Sequence, residues 1–310
     1  MSETLFIINP TSARGRTIKA WANARLELKQ ARLPFREHIT SGTGEAKRVT
    51  REAVSAGVTT VIAVGGDGTM SEVVRGYLDR DGRAINPAAA VGLLPSGTGS
   101  DFRRSLGKTN IEDLIAMLGE GSTRLIDAVR ASYTNQAGLP ESRCFINLAS
   151  FGLGGDIVKI VNERRSLLPR WVGGRARFVL GALIALVRYE CTGTRVTLDD
   201  RPPIAVKSNL IVVANGKFAG GGMMLAPNAD IADGLLDVIL SDRAGRFDVI
   251  GELPRIGRGG LLKNPKVSEA RAREVSIESE RPLAIDIDGE MVGYTPATLR
   301  LLPGAVRFVA

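Results

Sequence analysis

Residues 1–127 alternate apolar strand patterns with helical patterns, and this order constrains the fold more than any other feature of the sequence. Apolar runs at 5–9, 59–64 and 90–94 are each followed by a turn and then by residues of helical composition. After the last run, Asn110 is expected to cap a helix at 111–118 that stops at Gly119. The run 59–64 is β-branched and apolar on both faces, as expected of a buried parallel strand. The alternation therefore favours an α/β domain with a parallel sheet.

The pattern changes after about residue 127, where short β-like runs are separated by Gly, Pro and Asn turns. Arg143–Leu148 is one such run, and a single helical segment near 155–190 interrupts the series. This pattern predicts a mainly antiparallel β-sandwich with a helical insertion. We therefore expect an N-terminal domain at 1–127 and a β-rich domain at 128–291, with residues about 292–310 packing back onto the first domain.

Three polar, glycine-rich turns directly follow apolar runs of the first domain, at 9–16 (NPTSARGR), 65–69 (GGDGT) and 95–102 (PSGTGSDF). In an open parallel sheet, the carboxyl ends of the strands line one crevice where ligands bind. Glycine lets the backbone approach a phosphate, and the amides of a helix N-terminus favour an anion. The three turns therefore predict one phosphate-binding site. Nearby cations and hydroxyls that can contribute are Arg14, Arg16, Lys19, Thr69 and Thr98.

The scarcity of histidine excludes several kinds of catalysis, because His38 is the only histidine in 310 residues. A zinc site built from His or Cys cannot be assembled, and a Ser-His-Asp triad would have to use His38 itself. We interpret His38 as structural. Any catalysis is expected to use carboxylates, Lys and Arg, hydroxyls, backbone amides and a hard cation.

The formal net charge of +8 is unevenly distributed along the chain. Segment 159–188 carries a net +6 and encloses the apolar stretch Phe178–Val187. Ten residues are too few to span a bilayer, but they suit a buried helix or an amphipathic surface element. The segment is either a solvated face over a core helix or a surface attracted to an anionic membrane. The second interpretation makes five arginines membrane-facing: Arg164, Arg165, Arg170, Arg175 and Arg177.

The sequence contains no apolar run of twenty residues, so no transmembrane helix is predicted. The N-terminus lacks the basic region of a secretory signal. Cys144 and Cys191 are the only cysteines, so we expect no disulfide framework. These features favour a cytoplasmic protein, and the basic segment favours peripheral association with the inner face of the membrane.

The ordered motifs resemble those of the diacylglycerol kinase catalytic-domain superfamily, specifically its bacterial soluble lipid kinases, which include diacylglycerol, sphingosine and YegS-like lipid kinases. The matching segments are Asn9-Pro10-x-Ser12, Gly65-Gly66-Asp67-Gly68-Thr69, Pro95-x-Gly97-Thr98-x-x-Asp101-Phe102, Asp127, Asn147, Gly152-x-Gly154, Asp233-Gly234-x-Leu236-Asp237 and Asp288-Gly289-Glu290. The resemblance covers essentially the whole chain. It departs at Ala13 and Ser100, where the family has Gly and Asn, and we expect altered nucleotide affinity rather than loss of the site.

The resemblance implies an N-terminal sheet like that of NAD kinases and phosphofructokinases, and ATP-dependent transfer of the γ-phosphoryl group to a hydroxyl of a membrane lipid such as diacylglycerol. It implies that Glu290 is the general base. The preceding Asp288-Gly289 is typical of a hairpin turn, and such a turn can still present Glu290 to the substrate. The resemblance also implies that Asp67 and Asp101 organise Mg²⁺ and the phosphates, with Asp127 assisting. The nucleotide-binding residues it implies are Asn9, Arg14, Lys19, Thr40, Gly65, Gly66, Asp67, Gly68, Thr69, Gly97 and Thr98.

The resemblance also implies a second, structural Mg²⁺ in the β-rich domain. Its ligands would be the Asp233 carboxylate and the carbonyl oxygens of Asp230 and Leu235. The expected partners are ATP and a lipid at the membrane surface; a homodimer is left open. Aromatic residues make up only 5% of the chain, too few for base-stacking platforms, so no nucleic-acid partner is expected.

Two other functions stay open at this stage. An NAD kinase-type phosphotransferase also uses a GGDGT motif, but the Asn-Glu dipeptide expected after that motif is not found at the corresponding place. A catalytically silent lipid-binding protein would not need Asp67, Asp101 and Glu290, all of which are present.

Overall fold

The computed structural model describes residues 4–96, 101–107, 110–163, 180, 184–185, 190–208, 210–245, 248, 251 and 260–310. The chain divides into two compact units. The first unit comprises Met1–Ala128 and Leu302–Ala310, and the second comprises Val129–Leu301.

The elements of the N-terminal part alternate between strand and helix up to the fourth strand. They are β1 (Thr4–Ile8), α1 (Thr17–Gln30), β2 (Phe35–Ile39), α2 (Glu45–Ser55), β3 (Thr60–Gly65), α3 (Asp67–Tyr77), β4 (Ala90–Pro95), α4 (Asp101–Leu106) and α5 (Ile111–Glu120). A short 3-10 helix at Ser12–Gly15 precedes α1.

The remaining elements are mostly strands. They are β5 (Thr123–Asn135), β6 (Pro140–Phe145), β7 (Leu148–Gly152), α6 (Leu153–Glu163), β8 (Thr192–Leu198), β9 (Ile204–Ser208), β10 (Leu210–Ala214), β11 (Phe218–Ala219), β12 (Met223–Met224), β13 (Leu236–Ser241), β14 (Val267–Ala272), β15 (Glu274–Ser279), β16 (Ala284–Ile287) and β17 (Glu290–Val309). A second 3-10 helix lies at Gly260–Lys263.

The sheet of the first unit is parallel, in the order β17–β4–β3–β1–β2, where only the end of β17 takes part. Its central strands are buried on both faces because helices cover them, as the apolar run 59–64 predicts. On one face, Phe6 of β1 packs against Trp21 of α1 with ring centroids 4.9 Å apart. The predicted parallel α/β domain is confirmed, and the carboxyl ends of β1, β3 and β4 lie along one edge.

The second unit is mainly antiparallel, as predicted. Strands β14, β13, β10, β7, β16 and the first half of β17 are neighbours in that order, while β15 joins β17 to the β8–β9 hairpin. Alternate residues, such as Ala149 and Phe151 of β7 and Ile285 and Ile287 of β16, enter one apolar core. Helix α6 follows β7 directly, at the start of the predicted helical insertion. Residues 164–179, 181–183 and 186–189 of that insertion lie outside the described residues.

The single strand predicted at Arg143–Leu148 is wrong, because the chain bends at Ile146 and Asn147. Before the bend, β6 pairs with β5; after it, β7 pairs with β10 and β16. The Asn147 carbonyl accepts the N–H groups of Asn215 and Gly216, each at 2.8 Å, which fixes the bend. A short β-like run does not reveal that the chain changes its strand partners within it.

The residues at the two ends of α5 determine where this helix begins and ends. Asn110 caps it as predicted: its side chain accepts the Asp113 N–H at 2.7 Å, and both bonds of a capping box are present. The helix does not stop at Gly119 but continues to Glu120, because the left-handed residue that ends it is Gly121, with φ of 68°.

No helix in the described part of the chain combines the length and the apolar character needed to cross a bilayer.

Two helical glycines allow a matched test of the packing that positions α3. A Cβ at Gly76 would meet the Lys47 carbonyl oxygen and lie 2.6 Å from the Thr50 Cβ of α2, whereas a Cβ at Gly119 of α5 would have nothing within 4 Å. We expect Gly76→Ala to lower the free energy of unfolding by about 1–3 kcal/mol through overpacking. Gly119→Ala should raise it by about 0.5–1 kcal/mol through helix propensity. Urea unfolding checks both, and equal effects would contradict the α2–α3 packing.

Candidate functional site

Asn9 links two of the glycine-rich turns. It follows β1, and its Nδ2 donates to the Thr69 Oγ1 in the first turn of α3 at 3.1 Å. Its Oδ1 accepts the Thr11 N–H at 3.0 Å and the Thr11 hydroxyl at 2.9 Å. A Cβ at Gly65 would lie 2.9 Å from the Thr69 Cβ, so glycine is needed there for Thr69 to keep this position. The structure therefore brings Asn9, Gly65 and Thr69 together, and their nucleotide-binding role stays a prediction.

Asp67 links the GGDGT turn to the start of α4. Its Oδ2 accepts the Asp101 N–H at 2.8 Å, and its Oδ1 accepts the Phe102 N–H at 3.0 Å. Asp67 is also the first residue of α3, and Gly66 before it is extended, with φ of −111°. The carboxylate of the first residue of α3 thus caps the start of α4 at this edge of the sheet.

A cluster of three hydroxyls lies beneath this edge and was missed by the sequence analysis. The Ser12 and Thr17 hydroxyls lie 2.5 Å apart, and the Ser96 hydroxyl lies 2.6 Å from Thr17 and 3.1 Å from Ser12. The cluster joins the turn after β1 to the turn after β4. Ser12 and Ser96 both lie within the glycine-rich turns quoted above, and this position in neighbouring turns is the feature of the sequence that could have indicated their contact.

The turn after β1 contains the substitution noted in the sequence. Ala13 has a φ of 48°, in the left-handed region where glycine is favoured, which explains why the family has Gly at this position. The backbone of Arg14 lies in the 3-10 helix, and Lys19 is exposed on α1. Arg16 donates from Nε to the Ala13 carbonyl at 3.1 Å, which helps hold this turn.

Thr40 and Asp127 both make contacts that stabilise the first unit. Thr40 is buried, and its N–H and its hydroxyl donate to the Ile8 carbonyl at 2.9 and 3.3 Å. Asp127 is buried on β5, and its Oδ1 accepts the Gly304 N–H at 2.7 Å. Asp101 is also buried, and its Oδ1 lies 3.9 Å from the Arg104 Nε. The predicted nucleotide and catalytic roles of these three residues stay predictions.

Glu72 is a buried acid in α3 whose contacts could not be read from the sequence. Its carboxylate accepts the Gly44 N–H at 2.8 Å and the Ala46 N–H at 3.1 Å. It therefore caps the start of α2 and serves the packing of α2 against α3.

Several predicted residues lie outside the described residues. They are Gly97, Thr98 and the arginines Arg164, Arg165, Arg170, Arg175 and Arg177, together with Ser100.

In the second unit, Glu290 is the first residue of β17, directly after the Asp288-Gly289 turn. Both turn residues have positive φ, 50° for Asp288 and 85° for Gly289, as expected of a tight hairpin. The Glu290 Oε2 accepts from the Arg143 Nη1 at 2.7 Å, and the Glu290 side chain is 40% exposed. The predicted hairpin thus presents an accessible carboxylate with an arginine partner that the sequence did not indicate.

The same hairpin contains a buried acid, Asp286. Burial raises its pKa from the ordinary value of 3.8 to about 8, while a bond from the Ser150 hydroxyl at 3.2 Å opposes the rise. Asp286 and Ser150 are directly paired across β16 and β7. Asp286 is therefore protonated at neutral pH. No local pattern indicates this, because the strand that buries it, β7, is distant in the chain.

The predicted structural cation position lies in the turn before β13. The Asp233 Oδ1 accepts the Leu235 N–H at 3.0 Å, and its Oδ2 lies 3.6 Å from the Arg271 Nη1. Asp230 accepts the Ala232 N–H at 3.0 Å. Oxygen donors of this kind suit Mg²⁺. However, the described residues contain no group of three or more His, Cys, Asp or Glu that could hold a metal ion, and Arg271 already supplies positive charge beside Asp233.

Comparison with protein families assigns both units. The family described as diacylglycerol kinase catalytic domain matches residues 3–131, and the YegS C-terminal NAD kinase beta sandwich-like domain matches residues 148–310. The second match alone covers more than half of the chain. The chain therefore belongs to the family of diacylglycerol kinases and YegS-like lipid kinases, which confirms the resemblance seen in its motifs. It is accordingly a kinase, that is, a phosphotransferase.

Individual proteins show the same relationship. The chain is 32% identical over 274 residues to "Probable lipid kinase YegS-like" of Stenotrophomonas maltophilia, covering 87% of this chain and 84% of that one. It is 28% identical over 303 residues to a diacylglycerol kinase of Mycobacterium tuberculosis, covering 97% and 93%. A crystal structure of a diacylglycerol kinase from Bacillus anthracis has the same fold, with a TM-score of 0.72, 22% identity and coverage of 99% and 96%.

The double acceptor role of Asp67 predicts a measurable effect on stability. Asp67→Ala leaves the N–H groups of Asp101 and Phe102 without this acceptor, so we expect the free energy of unfolding to fall by about 1–2 kcal/mol. Glu120→Ala, at an exposed position in the last turn of α5, is the control and should change it by less than about 0.5 kcal/mol. Urea unfolding measures both, and an Asp67 variant as stable as the control would contradict the assignment.

The raised pKa of Asp286 predicts a pH dependence of stability. The folded state binds this proton more tightly than the unfolded chain does, so its stabilising effect is complete below about pH 4 and is lost as the pH rises through about 8. Asp286→Asn cannot lose this proton. The free energy of unfolding of this variant, relative to that of the wild type, should therefore increase steadily as the pH rises from about 4 to about 8. Unfolding measured at pH 5 and pH 8.5 checks this, and a constant difference would contradict a neutral Asp286.

Proposed function

We propose that this protein is an ATP-dependent lipid kinase that transfers the γ-phosphoryl group to a hydroxyl of a membrane lipid such as diacylglycerol. The observation that carries the proposal is the hydrogen-bonded edge formed by Asn9, Asp67 and Thr69 at the carboxyl ends of β1 and β3. The family assigns kinase activity, and the names of the relatives indicate the lipid acceptor.

The turn from β3 to α3 supplies the phosphate contacts. Gly66 and Gly68 expose backbone at the N-terminus of α3, where amide N–H groups and the helix dipole favour an anion. A Cβ at either glycine would have nothing within 4 Å, so there is space beside this backbone. Arg14 and Lys19 are proposed to add charge, and Asn9 and Thr40 to contact the nucleotide, at positions given by the family motif.

Mg²⁺ is the cofactor proposed to accompany ATP, and when bound it would neutralise charge that develops on the phosphates. Asp67 and Asp101 would hold it, since hard carboxylate oxygens and phosphates are its usual ligands. Because one or two carboxylates plus phosphates suffice for Mg²⁺, a cluster made of protein ligands alone is not required. Asp67 also keeps Asp101 close through the 2.8 Å bond to its N–H.

Glu290 is proposed as the general base that takes the proton from the lipid hydroxyl. It is exposed to 40%, it follows a rigid turn, and a positioned base typically contributes about 10²–10⁴-fold in rate. The one histidine does not compete for this role, because the His38 Nε2 lies 3.0 Å from the Glu45 carboxylate in the first unit.

Access to the lipid is proposed to involve the basic segment 159–188. Each basic residue near an anionic leaflet contributes about 1 kcal/mol, so several give reversible peripheral binding at the inner face of the membrane. This part of the proposal depends on sequence alone.

Replacing Glu290 tests the proposed function directly. We expect Glu290→Gln to lower lipid phosphorylation by about 10²–10⁴-fold, because the amide cannot accept the proton, while binding of Mg-ATP changes little. Transfer of ³²P from [γ-³²P]ATP to diacylglycerol, phosphatidylglycerol, ceramide or a sphingoid base in mixed micelles measures turnover, with NAD as a control acceptor. Glu278→Gln, in an exposed ion pair with Arg195 at 3.1 Å, is the matched control.

Two outcomes would overturn the proposal. One is label that appears only in NAD, and the other is a Glu290→Gln variant that phosphorylates lipid at the wild-type rate.

A further inference from the structure

We propose that Arg143 is a positioning residue for the phosphoryl-transfer reaction: it holds the carboxylate of Glu290 through Oε2, in the orientation in which this carboxylate accepts the hydroxyl proton. This inference rests on the proposed role of Glu290 as general base. It assigns a role to a residue that the family motifs quoted above do not include.

Arg143 points into the second unit rather than away from it. On β6 it lies directly opposite Ala131 of β5, and the next pairs on either side are Phe145 with Val129 and Glu141 with Tyr133. Ala131, Tyr133, Phe145 and Val129 all belong to the apolar core. Residues directly opposite in an antiparallel pair share one face, so Arg143 lies on the core-facing side. Its side chain is only 17% exposed.

A guanidinium in this position needs a counterion, because an unpaired charge that is largely removed from water is strongly destabilising. Glu290 supplies it at 2.7 Å. Glu141 lies on the same face, but its carboxylate accepts from the Tyr133 hydroxyl at 3.2 Å and from the Asn135 Nδ2 at 3.1 Å. Burial alone would lower the pKa of Arg143, yet the attraction of Glu290 more than offsets this and the pKa is raised.

Arg143 and Glu290 differ in solvent exposure, so one side of the ion pair faces the core and the other faces solvent. Arg143 is anchored within the sheet, whereas Glu290 is 40% exposed at the start of β17. The arginine therefore fixes the carboxylate from the inner side and leaves the outer side for a substrate. A base that is held in one orientation saves the cost of orienting it at each turnover, and small misplacements can cost up to about 10²-fold in rate.

The step that follows is balanced in atoms and charge. The lipid hydroxyl oxygen forms a bond to the γ-phosphorus as the bond from that phosphorus to the bridging oxygen of ADP breaks. The hydroxyl proton passes to the carboxylate of Glu290, and ADP leaves with the bonding electron pair. Arg143 stays protonated throughout and remains beside the carboxyl group.

Three variants of the full-length protein test the inference. Arg143→Met keeps the length of the side chain without its charge, Arg143→Lys keeps the charge, and Arg195→Met removes an arginine from the exposed pair with Glu278. We expect Arg143→Met to lower kcat by about 10–100-fold with KM for ATP within about twofold, because only the orientation of the base is affected. Its pH–rate profile should differ from that of the wild type, because the carboxylate has lost the cation beside it.

Arg143→Lys should restore kcat to within about tenfold of wild type together with the wild-type pH–rate profile, since the cation is retained. Arg195→Met should behave as wild type. If circular dichroism shows that Arg143→Met does not fold, Arg143→Gln replaces it with the same expectation, since it is neutral but can still form hydrogen bonds.

The inference is overturned if the neutral variant keeps the wild-type kcat and pH profile. It is also overturned if kcat falls equally in the neutral variant and in Arg143→Lys with the profile unmoved, because that result describes a structural role only. The variants distinguish a failure of this inference from a failure of the proposed function. A Glu290→Gln variant with wild-type turnover refutes the base itself, whereas an inactive Glu290→Gln beside a normal Arg143→Met refutes only the positioning role.

Discussion

The N-terminal unit depends on one constraint: the carboxyl ends of buried parallel strands must be closed by turns that satisfy their own polar groups. Asp67 meets this constraint by accepting two amide N–H groups at the start of α4. Asn9 and Thr69 form a hydrogen bond between the turns that follow β1 and β3. Beneath these turns, hydrogen bonds join the hydroxyls of Ser12, Thr17 and Ser96. The groups that shape the proposed phosphate-binding edge are therefore the same groups that hold the fold together there.

Because the same residues stabilise the fold and belong to the proposed site, one substitution changes both the stability of the protein and the chemistry of the site. A substitution at Asp67 removes a helix cap as well as a carboxylate, and a substitution at Glu290 leaves Arg143 without its counterion. A loss of activity in such variants has two sources, which differ in their signatures. An unfolding experiment detects the structural part, and a pH–rate profile detects the part that concerns proton transfer.

The sequence predicted those features that depend on neighbours along the chain. Strand–helix alternation predicted the parallel sheet, Asn110 predicted its helix, and Asp288-Gly289 predicted a hairpin, because each signal lies within a few residues. Features that depend on distant pairs were missed. The bend at Asn147 is set by Asn215 and Gly216, and the Arg143–Glu290 pair joins positions 147 residues apart. No local pattern marks Arg143, since its role is defined only once β6 and β17 have folded.

The hairpin of β16 and β17 places two carboxyl groups four residues apart that require opposite protonation states. Asp286 is buried and keeps its proton up to about pH 8, whereas the proposed role of Glu290 requires a carboxylate. As the pH rises through about 8, Asp286 loses its proton and the hairpin around it is destabilised. The turn that presents the proposed base therefore loses stability on the alkaline side because of a residue only four positions away, and a change of Asp286 alone can move that loss to another pH.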